Sequence, residues 1–500
     1  MSPLISGNSY WMESVPGTPL PALSGDAHAH VCVIGGGITG LLCAYELAEA
    51  GQDVVLVEGE RLASVVTGYT TAKLTSQHSL RYAALKEERG REAAETYGRV
   101  NEAALTRIRQ IAAELGVDGA VETRHAYVYG TSAETLEPIR KEAEVARELG
   151  LPASFTTSVP LPFDTVGAVR FTGQAQIHPR SLLLPLAHVL IERGVKIFES
   201  TQVTALEHDE HWTVTTEGGT VRAEHVVLAT GTPIAGVGDE LWERLYCHQG
   251  YAVAMPLSGE RPDGVLISHD RPMRSIRTIL DGDRRLLQVG GGAFVHDSNS
   301  GATPFDDLEE WAREHFDVGP AEYRWSTQDN STTDRVPMIG ALEQPNLYIA
   351  TGFGGWGLTT AGVAAALIRD LVTGAAGDPA RDRLFDPTRP LPAADAALIS
   401  ARTSSGTDED PGGIVAALQP GEAAVVRHAG RQVGVHRAAD GALQAVSAVC
   451  THAGGVILWD REDGQWHCPC HGSRFAPDGA VTRGPAREAL PEMGEFLDAN

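Results

Sequence analysis

Cysteine is scarce in this chain, with six among 500 residues, which is too few for a disulfide-built scaffold. Basic charge is also in deficit. Lys and Arg number 40 against 65 Asp and Glu, a formal net charge of -25. That balance favours solubility and argues against nucleic acid or an anionic membrane surface as partner. No stretch approaches the ~20 apolar residues of a membrane span. The opening segment, residues 1–30, has neither a basic n-region nor an apolar h-region, so no secretory leader is legible and a cytoplasmic setting is expected. What is present is ample core material, 42% apolar residues in a length that fits about three ordinary domains.

The most informative stretch runs from Val31 to Glu58. Val31, Val33 and Ile34 form a short β-rich apolar run that ends at Gly35. Gly35, Gly37 and Gly40 keep a G-x-G-x-x-G spacing, with Ile38 and Thr39 inside it, and Leu41–Ala50 continues as a proline-free helical pattern. Val54–Val57 reads as a second buried strand with Glu58 at its end. The order has a mechanism. The first glycine makes the tight turn, the second lets backbone approach a pyrophosphate, and the third lets helix and strand pack closely. The helix N-terminus offers unpaired N–H groups to phosphate. Glu58 stands where it can accept ribose hydroxyls.

Downstream, Arg61–His78 is dense in Ser, Thr and Gly, including Thr67, Thr70 and Thr71. Val203 lies in a strand pattern over Val195–Leu206, and a buried strand ends at Ala229-Thr230-Gly231. Alternating strand patterns between 246 and 329 point to an antiparallel sheet. Residues 346–372 repeat the order of strand, glycine turn and helix, with Gly352, Gly354, Gly355 and Gly357 in the turn and Leu358 opening the helix.

Together the glycine fingerprint with Glu58, TGYTTAK at 67–73, QIHP at 176–179, ATG at 229–231, TTDRVPMIG at 332–340 and TGFGGWGLTTAG at 351–362 resemble FAD-dependent amine and amino-acid oxidoreductases of the D-amino-acid-oxidase and sarcosine-oxidase type. The resemblance spans roughly 28–388. It implies FAD held by the glycines, threonines, Val203 and Leu358 just named, and a substrate between the flavin and the antiparallel sheet. Covalent attachment in such proteins uses a Cys before the TTD-like segment or a His in the Ser/Thr/Gly loop. Residues 327–334 hold no Cys and 64–73 no His, so non-covalent FAD is expected. Arg274 and Arg277 are candidates for a bidentate carboxylate clamp. Lys73 is a candidate cation near the flavin, and Tyr251, Trp325 and Trp356 are candidate pocket walls.

The remaining signal lies near the C-terminus, where three of the six cysteines fall within 21 residues. Cys450-Thr451-His452 and Cys468-Pro469-Cys470-His471-Gly472-Ser473 could ligate zinc as a Cys2His2 set. The full strings resemble the Rieske iron–sulfur domain, whose C-x-H and C-x-x-H motifs give two thiolates to one iron of a [2Fe–2S] cluster and two imidazoles to the other. By that resemblance the ligands are Cys450, His452, Cys468 and His471. Two departures stand out. Gly455 occupies the place of a Cys that pairs with the Cys470 position in respiratory Rieske domains. Phe475 occupies the place of a Tyr whose hydroxyl donates to a ligand sulfur. Fewer donors to sulfur place the expected potential low in the Rieske range.

The expected fold class is α/β: a doubly wound GxGxxG FAD domain plus an antiparallel-sheet substrate domain, followed by a small all-β Rieske domain. The expected boundaries are an extension over 1–27, the oxidoreductase over 28–388, a linker over 389–412 and the Rieske domain over 413–500. Within the oxidoreductase the FAD domain takes roughly 28–110, 165–235 and 330–388, and the substrate domain mainly 236–329 with about 118–164.

Three functions are compatible with this reading. One is a dehydrogenase oxidising a small amine or amino acid, with electrons passed singly through the cluster to an external ferredoxin- or cytochrome-like carrier. Another is a flavoenzyme acting on a C–O or C–C bond, or running in reverse. The third is an electron-transfer or redox-sensing protein. A cavity with Arg274 or Arg277 pointing in would favour the first.

Overall fold

The structure is a computed structural model that describes residues 5–234, 241, 244–292, 303–390, 411–428, 430–452, 454–461, 464–468, 472–484 and 486–499. Three bodies follow from the strand patterns: a largely parallel sheet, a large mixed sheet packed beside it, and a small two-sheet module at the C-terminal end.

The parallel sheet is built on β2 (Ala27–Ile34) and β3 (Val54–Val57). Their apolar runs are buried on both faces, the signature of a parallel strand covered from two sides. Val31, Val33 and Leu56 pack against the helix Ile38–Glu49, while Cys32, Ile34, Val55 and Val57 fill the opposite core. β8 (Lys196–Phe198) extends the sheet beyond β3. On the other side, β11 (Gly219–Gly231) and β18 (Leu347–Thr351) add in parallel, followed by antiparallel β17 (Met338–Ala341). β9 (Val203–His208) and β10 (Trp212–Thr216) form a meander on β11. The strand end at Thr230-Gly231 thus returns to the dinucleotide sheet across some 170 residues of sequence.

Among the described residues the second sheet carries ten strands in the order β1, β16, β12, β15, β14, β13, β5, β7, β4, with β6 alongside β7. These are β1 (Ile5–Asn8), β4 (Lys73–Leu74), β5 (Val121–Gly130), β6 (Ala153–Thr156), β7 (Gly167–Ile177), β12 (Leu245–Pro256), β13 (Val265–Ser268), β14 (Ser275–Asp281), β15 (Arg284–Gly292) and β16 (Tyr323–Thr332). Three assignments differ from the sequence reading, the first being β4, which lies in the segment 28–110 expected for the FAD domain but pairs with β7 in the substrate sheet. β7, placed with the FAD segments by order along the chain, pairs along β5 and so belongs to the substrate sheet. The N-terminal extension is an edge strand on β16 followed by a short helix, Tyr10–Ser14, whose Tyr10 and Trp11 are buried. Five helical residues are too few to show a period, so this anchoring leaves no pattern in the sequence.

The C-terminal module contains one antiparallel sheet of β19 (Ala423–His428), β20 (Arg431–Arg437) and β21 (Leu443–Ser447). A second comprises β22 (Leu458–Asp460), β23 (Gln465–His467), β24 (Arg474–Phe475) and β25 (Val481–Arg483). Val446, Ile457, Trp466 and Phe475 close its core. Most of the linker, 391–410, lies outside the described residues.

Candidate functional site: a flavin cavity walled by the C-terminal module

The C-terminal ends of the parallel strands open into a cavity of about 1150 Å³. Gly35 turns the chain at φ +108°, and a Cβ there would stand 2.6 Å from the Ala229 carbonyl oxygen. At Gly40 a Cβ would lie 1.8 Å from the Gly35 oxygen, so only glycine lets the helix sit this close to the strand. Gly37 is the N-cap of the helix Ile38–Glu49 and faces the cavity with Ile38 and Thr39. The Ile38 N–H donates to Thr67 Oγ1 at 3.2 Å, tying the Ser/Thr/Gly loop to the helix start. The Glu58 carboxylate accepts from the N–H groups of Gly36 at 2.5 Å and Glu60 at 2.7 Å. Burial raises its pKa and those two hydrogen bonds oppose the rise. A glycine cradle at a helix N-terminus with a half-buried acceptor at the next strand end fits the pyrophosphate and ribose of a dinucleotide.

Thr70, Thr71, Val203, Thr230, Gly231, Gly354, Gly355, Gly357 and Leu358 also line the cavity. Gly352 and Gly40 do not. They act on packing, since a Cβ on Gly352 would meet Thr332 Cγ2 at 2.5 Å. Trp356 lines the wall and stacks on His78 at 4.7 Å between centroids. Burial depresses the His78 pKa to about 3, which keeps that imidazole neutral. Tyr251 and Trp325 face the cavity too, Tyr251 edge-on to Phe305 and Trp325 donating to the Tyr69 carbonyl at 2.9 Å.

The proposed carboxylate clamp is not assembled. Arg274 pairs with Asp307 at 2.8 Å and lies over Trp311. Arg277 is 2% exposed, donates to the carbonyls of Ala72 at 2.6 Å and Ile177 at 3.1 Å, and covers the Trp11 ring. Neither lines the cavity. Lys73 does. It donates to Ser275 Oγ, and burial together with the Arg277 charge lowers its pKa to about 7. Ser275, Met273 and Ile267 complete this wall, and none belongs to a sequence motif.

In the C-terminal module, each described cysteine of the two motifs sits in a loop closed by backbone hydrogen bonds. Cys450 N–H donates to the Gly455 carbonyl at 2.8 Å and Cys468 N–H to the Ser473 carbonyl at 2.8 Å. Both cysteines are buried, and Ser473 Oγ accepts from the Ala486 N–H at 3.0 Å. His471 lies outside the described residues, as does Cys470. Two buried sulfurs on adjacent loops with His452 beside one of them fit three ligands of a Rieske cluster. Thr451 and His452 also line the cavity described above, together with Arg483, Gly484 and Arg487. Nothing in the sequence marks this meeting of the two motif sets.

Residues 30–371 match the FAD dependent oxidoreductase family and 413–494 the Rieske [2Fe-2S] domain. The chain belongs to the FAD-dependent oxidoreductase family and carries a C-terminal Rieske domain. It is therefore an oxidoreductase with FAD and a [2Fe–2S] cluster as its cofactors. It is 31% identical over 496 residues, 97% of each chain, to the Bacillus subtilis (strain 168) protein YhfW, whose name describes a Rieske 2Fe-2S iron–sulfur protein. Escherichia coli (strain K12) gamma-glutamylputrescine oxidoreductase is 27% identical over 71% of this chain and 86% of its own. In fold, L-proline dehydrogenase from P. horikoshii superposes with a TM-score of 0.59 at 20% identity, over 74% of this chain and 98% of that one. Among the described residues no helix is long and apolar enough to cross a membrane.

Proposed function

We propose that this protein is a dehydrogenase that oxidises the C–N bond of a small amine or amino acid and sends the electrons through its Rieske cluster to an external one-electron carrier. The observation that carries this reading is the single cavity lined both by the flavin fingerprint and by the ligand loop holding His452. FAD supplies the hydride acceptor when bound. The chain's own residues supply the rest. The glycine cradle and Glu58 orient the dinucleotide, while Tyr251, Trp325 and Trp356 exclude water from one end of the cavity. A substrate carboxylate would be held at Lys73 and Ser275, since Arg274 and Arg277 are engaged elsewhere. The absence of an attachment Cys or His in the two segments supports non-covalent FAD.

That a relative is named an oxidoreductase of gamma-glutamylputrescine, an amine, supports the substrate class. The adjoining cluster motif supports a dehydrogenase over an oxidase, because electrons have an exit other than oxygen. The balance is simple: the substrate loses a hydride and a proton, two equivalents of a one-electron carrier collect the two electrons, and two protons pass to solvent.

The test is anaerobic titration of the purified protein with amines, amino acids and hydroxy acids, following flavin bleaching by absorbance and the reduced cluster by EPR. Bleaching by an amine, followed by growth of the cluster signal, is expected. If only a reductant-charged cluster reduces the flavin, electrons run the other way and the proposal fails.

A further inference from the structure

The face of the substrate sheet that meets the Rieske module is unusual in being buried and polar. On β12 and β16, Gln249 and Gln328 are direct cross-strand partners, and they are only 5% and 3% exposed. On the module, Arg474 of β24 and Arg483 of β25 are also direct cross-strand partners. The two pairs face each other. Arg474 Nη2 donates to Gln249 Oε1 at 3.3 Å, and Arg483 Nη1 donates to Gln328 Oε1. Gln249 Nε2 donates in turn to Ser326 Oγ at 2.7 Å, which fixes the amide with its oxygen toward the arginine. Beside them, the Cα of Gly472 comes so close to β12 that a Cβ there would be 3.0 Å from Cys247 Sγ.

Two arginines directly opposite on neighbouring strands repel one another. Arg474, fully buried, also has Asp460 at 3.5 Å. Arg483 has its acceptor on the other module. With Arg474 fully buried and Arg483 half-buried, losing these acceptors would leave polar groups cut off from water without partners, which is costly, so this pair is built to be covered. The same docking brings Thr451 and His452 to the flavin cavity.

We propose that β12 and β16 form a dedicated docking face for the Rieske module, with Gln249 and Gln328 as positioning residues that hold the His452 edge of the cluster loop at the flavin cavity. That edge is then the electron entry port within one chain, and the external carrier meets the module on another face. The inference rests on the flavin-to-cluster relay proposed above.

The test uses the holoprotein and three variants outside the cavity lining. Gln249→Arg sets a cation against Arg474, Gln249→Glu keeps the acceptor, and Cys247→Phe wedges the Gly472 contact. Flavin and cluster content of each establish that the variant has folded. Two quantities are read: hydrogen exchange of the β12 and β16 amides, and the rate at which flavin reduced by photo-excited 5-deazariboflavin with EDTA passes an electron to the cluster.

Wild type and Gln249→Glu should show protected amides and a first-order transfer independent of protein concentration. Gln249→Arg and Cys247→Phe should lose protection and slow transfer about tenfold, the loss expected from one buried charge-assisted hydrogen bond or a comparable steric wedge. If both disruptive variants match wild type in exchange and in rate, the docking face is refuted. If wild type transfers nothing while Gln249→Arg still exposes β12 and β16, the relay is refuted and the docking stands.

Discussion

The substrate sheet buries a pair of arginines and the Rieske module pairs a buried Arg474 with a half-buried Arg483, and the two pairs are used differently. Arg274 and Arg277 spend their donors within their own body, on Asp307 and on backbone carbonyls. Arg474 and Arg483 reach across a domain boundary, to Gln249 and Gln328, with Arg474 also paired to Asp460 of its own module. All four look alike in sequence. The guanidinium geometry suits carboxylate, carbonyl and amide oxygens equally, so the side chain announces that an acceptor is present but not which one. The first pair therefore belongs to stability and the second to assembly.

That contrast can be broken in several ways. The largest effect is expected from Cys468→Ser, which should abolish the cluster while the flavin body keeps its FAD. Iron content and EPR read the loss, and the flavin spectrum shows whether the body stands on its own; loss of FAD as well would mean that the two modules fold together. Next, Arg277→Met should destabilise the protein by about 3 kcal/mol, because the carbonyls of Ala72 and Ile177 lose a buried donor. Denaturant unfolding measures this. A variant of unchanged stability but impaired substrate binding would return Arg277 to the substrate site.

Glu58→Gln should weaken FAD binding about tenfold, by exchanging a charged acceptor for a neutral one. The dissociation constant from fluorescence titration checks it.

Lys73 gives a smaller, pH-dependent effect. Its pKa is lowered from 10.5 to about 7 by burial and by Arg277. Between those values the unfolded chain binds the proton that the folded chain has released, so Lys73 makes stability rise with pH across that window. The stability advantage of Lys73→Met over wild type should thus be largest at or below pH 7 and shrink toward pH 10.5. An advantage that does not vary with pH would mean that Lys73 keeps its charge when folded.

The smallest effect is expected at Phe475, which is buried in the module core. Phe475→Tyr should raise the reduction potential of the cluster by adding a donor near a ligand sulfur, read by voltammetry. No change would mean that the hydroxyl finds another acceptor.

The parts of the site legible beforehand are those where one backbone conformation demands one residue type over a short span. Gly35 at φ +108° and Gly40 against the Gly35 oxygen leave no room for a side chain, and Cys450 with His452 keeps a ligand spacing that few other purposes require. Contacts between distant segments left no such mark. Lys73 meets Ser275 across 202 residues, and Arg474 meets Gln249 across 225. The extension holding Tyr10 and Trp11 was equally opaque, because its strand and helix are each shorter than the window in which periodicity shows.

The two cofactor motifs, the α/β body and the separate all-β module were readable from residue order alone, because local sterics and strand periodicity act over a few residues. Packing between distant segments is what leaves Arg274 and Arg277 out of the cavity lining and places Lys73 and the Rieske loop residues Thr451 and His452 in it. Those outcomes depend on which acceptor each long side chain reaches once the sheets are packed. That competition is settled by burial and geometry among residues hundreds of positions apart.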